Sequence, residues 1–157
     1  MQSIYLETSI IGYLASRTSS DLVTAGNQTL TREWWDNHRE HFELFVSEAV
    51  VAECGAGDTE AAEERSVFLT GLPILEITLE CKALAAQIMK GISLPEKADV
   101  DALHIAVAAL NGIDYLLTWN CKHIANPSLR RIIERVLSEA NIEPPVICTP
   151  QEMINVH

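Results

Sequence analysis

Glu7, Glu53, Asp101 and Asn120 are the residues of this 157-residue chain whose types and settings could carry chemistry. Three carboxylates and one amide offer hard oxygen donors, the ligands that Mg²⁺ or Mn²⁺ prefer. Carboxylates crowded together are unfavourable without a cation, so their convergence implies either a bound metal or raised pKa values. A divalent ion held there would lower the pKa of a water and steady charge building on a phosphate. That is the equipment for hydrolysing a phosphodiester.

The elements that must position these residues alternate between strand and helix. Ser3–Leu6 is a short apolar strand that ends abruptly in Glu7-Thr8-Ser9, with a helix through Ile10–Ala15 after it. The hydroxyls of Thr8 and Ser9 suit the free N–H groups of a helix start. A helix is expected over Leu30–Phe42, a second strand over Leu44–Val46, and Ser47 opens a helix that carries Glu48 and Glu53. Thr59–Leu69 reads as a helix and Pro73–Ile77 as a third strand. Thr78 caps a helix that ends near Gly91, placed as the glycine just past its last turn. Ala102, Ile105, Ala106, Ala109 and Leu110 then fall at helical spacing and form one apolar face, with Asp99 and Asp101 in the opening turn. Tyr115–Thr118 is a fourth strand, ending in Thr118-Trp119-Asn120. Asn126-Pro127 has the cap residue and first-turn proline in order, for a helix to about Ala140. Val146–Cys148 is a fifth strand, and Thr149-Pro150-Gln151-Glu152 reads as a capping box. Strands separated by helices pair in parallel, which predicts a three-layer α/β/α fold around a sheet of four to five strands. In such sheets, ligands sit at the carboxyl ends of the strands, where these polar residues fall.

Length and composition suit one domain over residues 1–157. Hydrophobic residues make up 48% of the chain and charged residues 21%, which excludes a disordered or low-complexity chain. The net charge of −11 disfavours a protein that holds DNA by broad phosphate neutralisation. It suits a carboxylate cluster around a cation, and a basic protein partner. The four cysteines (Cys54, Cys81, Cys121 and Cys148) contain no C-x-x-C pair, so they read as reduced thiols of a cytoplasmic protein. No apolar run approaches the roughly 18 residues of a membrane span, and no membrane association is expected.

Four strings sharpen the reading. Tyr5-Leu6-Glu7-Thr8-Ser9-Ile10-Ile11 resembles the opening of the PIN domain, a family of metal-dependent ribonucleases that includes VapC-type toxins. Val50-Val51-Ala52-Glu53 is similar to the family's second-acid helix, and Asp101–Ala109 (DALHIAVAA) to its third-acid helix. Gly112–Asn120 (GIDYLLTWN) resembles the strand that delivers its fourth site residue. The resemblance implies that Glu7, Glu53 and Asp101 bind Mg²⁺ or Mn²⁺, with Asp99 as a further candidate ligand. Asn120 would complete the catalytic set. It implies an endoribonuclease that leaves a 5′-phosphate and a 3′-hydroxyl, a homodimer, and a cognate antitoxin that inserts a segment, often with Arg, into the acidic groove. Two departures stand out: Glu7 replaces the usual Asp, and Asn120 replaces the Asp of many members, so the set has one formal charge fewer.

Around that set, Thr8, Ser9 and Thr118 either contact the substrate phosphate or support the acids. Lys122, Arg130 and Arg131, with His123 and Arg135, form a basic stretch after Asn120 that would grip RNA backbone. His104 reads as a packing or hydrogen-bonding histidine, Glu48 as a first-turn acid, and Trp34-Trp35 as packing residues. The rival to an active nuclease is a degenerate PIN fold that binds RNA or protein without cleaving. A receiver-like phospho-acceptor domain is disfavoured, because the central strand ends in Asn120 and Lys122 lies in a loop.

Overall fold

Why the carboxylates can meet at all follows from strand order. The computed structural model describes residues 1–92 and 98–155. Among these residues, five parallel strands, β1 (Gln2–Leu6), β2 (Phe42–Ser47), β3 (Ile74–Leu75), β4 (Tyr115–Leu117) and β5 (Val146–Cys148), lie in the order β3-β2-β1-β4-β5. The chain therefore winds outward from β1 in one direction, then crosses to its other edge for β4 and β5. This reversal opens a crevice beyond the carboxyl ends of β1 and β4. In register, Leu6 stands opposite Leu117, and the Glu7 N–H reaches the Leu117 carbonyl at 3.1 Å. The first residues past each strand, Glu7 and Thr118, are thereby neighbours.

Among the described residues, eight α-helices accompany the sheet: α1 (Thr8–Ala15), α2 (Leu22–Asn37), α3 (Glu48–Cys54), α4 (Thr59–Leu69), α5 (Leu79–Ile92), α6 (Asp99–Leu110), α7 (Pro127–Glu139) and α8 (Pro150–Met153). One contacting set comprises α1, α2, α4 and α8, and a second comprises α5, α6 and α7. With the sheet they make the three-layer α/β/α arrangement expected. The core runs through Ile4, Leu6, Ile10, Ile105, Leu116 and Leu117, none exposed to solvent. Each such side chain contributes about 1.5–3 kcal/mol by leaving water. That rigid floor holds the polar residues at the strand ends.

Several boundaries depart from expectation. Helix α2 begins at Leu22, well before Leu30, because Asp21 caps it through the Thr24 N–H at 2.9 Å. It stops at Asn37, and after a 3₁₀ turn at Arg39–His41, Phe42 opens β2 rather than closing a helix. Helix α6 is buried nearly all round, not on one face: α5 and α3 pack against it and Tyr5 of β1 meets His104, so even His104 and Val107 are inside. Gly91 lies within α5. It is a glycine because a Cβ there would stand 2.7 Å from Val136 Cγ2 of α7. Its role is close approach between helices, not termination. The caps of α7 and α8 are as expected, with Asn126 accepting from the Ser128 N–H and Thr149 and Glu152 forming the capping box.

Candidate active site

Glu7 is the residue most tightly held. It follows β1 directly, is 5% exposed, and its Oε1 accepts the hydroxyls of Ser9 and Thr118, each at 2.5 Å. Those hydroxyl oxygens in turn accept backbone N–H groups: Trp119 donates to Ser9 at 2.8 Å and Asn120 to Thr118 at 2.9 Å. An unpaired buried carboxylate would be expensive. Two polarised hydroxyls lower that cost and pin the rotamer that the longer Glu side chain needs. Among the described residues, Oε2 of Glu7 takes no hydrogen bond and remains available to a ligand.

Glu53 approaches from the last turn of α3. Its side chain is 38% exposed, and its Oε1 accepts Thr8 Oγ1 at 2.6 Å and meets His104 Nε2 at 2.6 Å. Partial burial pushes this carboxyl upward. The hydrogen bonds from His104 and Thr8 outweigh that and hold its pKa below the ordinary glutamate value. Behind it, His104 Nδ1 meets the Tyr5 hydroxyl at 2.6 Å, and that hydroxyl meets Ser47 Oγ at 2.8 Å. Tyr5, His104 and Ser47 are all fully buried. The ligand atoms of Glu7, Glu53 and His104 lie within 4.8 Å of one another, close enough to share one cation.

Asp101 projects from the first turn of α6 into a second, adjoining group. Its Oδ1 accepts Asn120 Nδ2 at 3.0 Å and its Oδ2 meets His123 Nδ1 at 2.8 Å. Asn120 Oδ1 also accepts the His123 N–H at 3.0 Å, closing a small loop of hydrogen bonds. Trp119 fixes the start of this loop by stacking on Tyr13, ring centroids 6.0 Å apart, and by donating Nε1–H to Thr31 at 2.7 Å.

The remaining sequence candidates separate by location. Thr118 is fully buried; its hydroxyl holds Glu7 and accepts the Asn120 N–H. Thr8 and Ser9 are half-buried and bonded to Glu53 and Glu7. Asp99 is exposed beside Lys82, Met89 and Leu103, on the side of α6 turned to α5, and no side chain of it caps the helix. Arg130 donates to the Ile147 carbonyl at 3.1 Å and so ties α7 to β5. Lys122 and Arg131 are exposed, and Arg135 lines a groove with Lys90 and Glu139. Sequence reasoning read His104 as a packing or hydrogen-bonding histidine and His123 as part of the basic stretch; both pair with site carboxylates. The available signal was spacing: His104 is one helical turn from Asp101, and His123 follows Asn120 by three residues.

A comparison with curated protein sequences found no match. Among solved structures, the fold is similar to VapC20 of Mycobacterium tuberculosis, a toxin that cleaves the sarcin-ricin loop. Identity is 18% and the TM-score 0.54, covering 77% of this chain and 92% of that one. It is also similar to VapBC2 of Rickettsia felis, solved bound to a DNA fragment from its promoter. There identity is 16% and the TM-score 0.54, covering 94% of this chain and 98% of that one. At such identities the likeness concerns the fold alone. The family model for the PIN domain matches residues 4–120, from the middle of β1 to Asn120, and the chain belongs to the PIN domain family.

Proposed function

We propose that this protein is a divalent-metal-dependent endoribonuclease and the toxin of a toxin–antitoxin pair of the VapBC kind. The observation that carries the reading is the convergence of Glu7, at the end of β1, and Glu53, in the last turn of α3, within one 4.8 Å cluster that His104 adjoins. Two carboxylates offer the oxygen donors that a hard cation such as Mg²⁺ or Mn²⁺ takes. The free Oε2 of Glu7 and the half-exposed carboxylate of Glu53 are the groups that would hold it, with Asp101 and Asn120 beside them forming the adjoining wall of the site. When bound, the ion would stabilise charge on a phosphate and ease deprotonation of a nearby water.

The chain's own residues do the rest. Ser9 and Thr118 fix Glu7, Thr8 fixes Glu53, and the Asn120–Asp101–His123 group shapes the wall facing the entering phosphate. Exposed Lys122 and Arg131 would steer an RNA backbone toward the rim, which the acidic remainder of the surface repels. A net charge of −11 suits an antitoxin that docks a basic segment over the same groove. A homodimer and a cytoplasmic location belong to this proposal; no described helix is long and apolar enough to cross a membrane.

One observation favours a second reading, a PIN fold that binds without cleaving. Asn120 already donates to Asp101, so one wall of the site is closed by its own hydrogen bonds. Cleavage of a mixed RNA panel by purified protein with Mg²⁺, Mn²⁺ or EDTA separates the two readings. Glu7→Gln and Glu53→Gln preparations run beside it to exclude a contaminating nuclease. Metal-dependent cutting lost in both variants is the expected result, and folded wild-type protein that cuts nothing with either metal establishes the binding module.

A further inference from the structure

His104 lies close enough to Glu7 and Glu53 to be counted among the ligands of one ion, but its two ring nitrogens are already engaged. Nδ1 faces the Tyr5 hydroxyl and Nε2 faces Glu53 Oε1, both at 2.6 Å. The proton count along this buried chain decides its direction. Ser47 Oγ accepts the Val50 N–H as the cap of α3, at 3.4 Å, which leaves its own proton free to go to Tyr5. The Tyr5 hydroxyl is buried between Ser47 Oγ and the ring, and a phenol that accepts the Ser47 proton has its own left to give to Nδ1. The neutral ring then carries its proton on Nε2 and donates it to Glu53. Every polar atom of the chain is satisfied in this arrangement.

Reversing the direction fails at both ends. With the ring proton on Nδ1, Tyr5 would donate to Ser47, and the Ser47 proton would have no acceptor among the described residues. At the other end, the bare Nε2 lone pair would face a carboxylate oxygen at 2.6 Å, two acceptors without a proton between them. Ligation by Nε2 requires that same bare nitrogen.

We infer that His104 is a positioning residue and not a ligand: it donates Nε2–H to Glu53 Oε1, and the Tyr5–Ser47 relay locks the ring in that state. Oε1 of Glu53 is thereby filled by His104 and Thr8, and Oε2 is the atom turned over to the cation. This rests on the proposed metal centre for its purpose, but not for its test. The state of the ring is a property of the protein alone.

The test is the long-range ¹H–¹⁵N spectrum of the His104 ring in full-length wild-type protein at pH 8, without metal and with saturating Mg²⁺. A proton on Nε2 in both states is expected. An Nε2 without its proton in either state overturns the inference, because the ring would then be free to ligate or would have switched to do so. Calorimetric titration of the same samples with Mg²⁺ keeps the two ideas apart. Absence of Mg²⁺ binding removes the proposed metal centre, while the ring state still decides the role of His104 toward Glu53. Tyr5→Phe supplies the second arm. It is expected to give mixed ring tautomers and to weaken Mn²⁺ binding about 10-fold, the lower end of what outer hydrogen-bond partners cost. A Tyr5→Phe protein with the wild-type ring state and Mn²⁺ affinity overturns the relay.

Discussion

Glu53 meets His104 at 2.6 Å and Asp101 meets His123 at 2.8 Å, so the site contains two carboxylate–imidazole pairs of similar geometry. What stands behind them differs. The His104 ring is fully buried and meets the Tyr5 hydroxyl of β1, which Ser47 of β2 holds in turn. His123 is 17% exposed and Asp101 20%, and both are held by Asn120 on the loop between β4 and α7. One pair is a fixture of the core, and the other is a latch between a helix start and a loop. The contrast teaches that the family's acids need not act alike here. The buried pair presents a carboxylate outward, whereas the latch spends both oxygens of its carboxylate on holding the loop.

The sharpest way to break this comparison is to neutralise each acid in turn. Glu53→Gln should reduce metal-dependent RNA cleavage by more than the roughly 10–100-fold typical of outer hydrogen-bond partners. Asp101→Asn should fall within that range, since an amide can still close part of the latch. Initial rates on one RNA substrate at several Mg²⁺ concentrations give both numbers. Equal losses in the two variants would show that Asp101 leaves its latch to reach the ion.

Stability separates the pairs next. Tyr5→Phe leaves His104 Nδ1 and Ser47 Oγ without their partner in a fully buried setting, which costs about 1–3 kcal/mol. His123→Ala removes a partly exposed contact whose other members can turn to water, so about 1 kcal/mol or less is expected. Urea unfolding of the three proteins checks the order. A His123→Ala protein destabilised as much as Tyr5→Phe would mean that the loop is as integral to the fold as the sheet.

A smaller effect follows from restoring an acid at the latch. Asn120→Asp would replace the 3.0 Å amide–carboxylate hydrogen bond with two facing carboxylates. Without divalent ions this should cost about 1 kcal/mol, somewhat less than one pK unit of repulsion. Added Mg²⁺ should recover it, because an ion that binds only the folded state stabilises by mass action. Thermal melts with and without Mg²⁺ should therefore show a larger Mg²⁺-induced rise in Asn120→Asp than in wild type. Similar rises would mean that the latch side does not touch the ion even when it is acidic.

Much of this was legible in the sequence where local chemistry dictates structure. An apolar run stopped by Glu7 marks a buried strand meeting a polar rim, and Asn126-Pro127 specifies a helix start without help from elsewhere. The α2 start was obscured because Leu22–Thr29 is mostly polar or small, so only the Asp21 cap announced it. Gly91 was ambiguous for a different reason: a glycine that ends a helix and one that admits a neighbouring helix look alike until Val136 is in place. The same limit hid the role of His104. Its partners Tyr5 and Glu53 lie 99 and 51 residues away, and pairings at that range come only from strand order.

Two cysteines report on the two halves with little disturbance, and the least effect is expected from them. Cys54 follows Glu53 at the end of α3, is 1% exposed, and burial pushes its thiol up to about 11. Cys121 follows Asn120 in the loop and is exposed. Since the thiolate is the reacting form, a neutral-pH alkylating reagent should modify Cys121 readily and leave Cys54 untouched until the fold opens. Mass spectrometry after short exposures would read both positions in one digest. Under rising urea, Cys54 labelling should follow global unfolding, because its side chain is part of the hydrophobic core. Labelling of Cys54 well before global unfolding would mean that α3 opens independently. The buried pair would then be no more fixed than the latch.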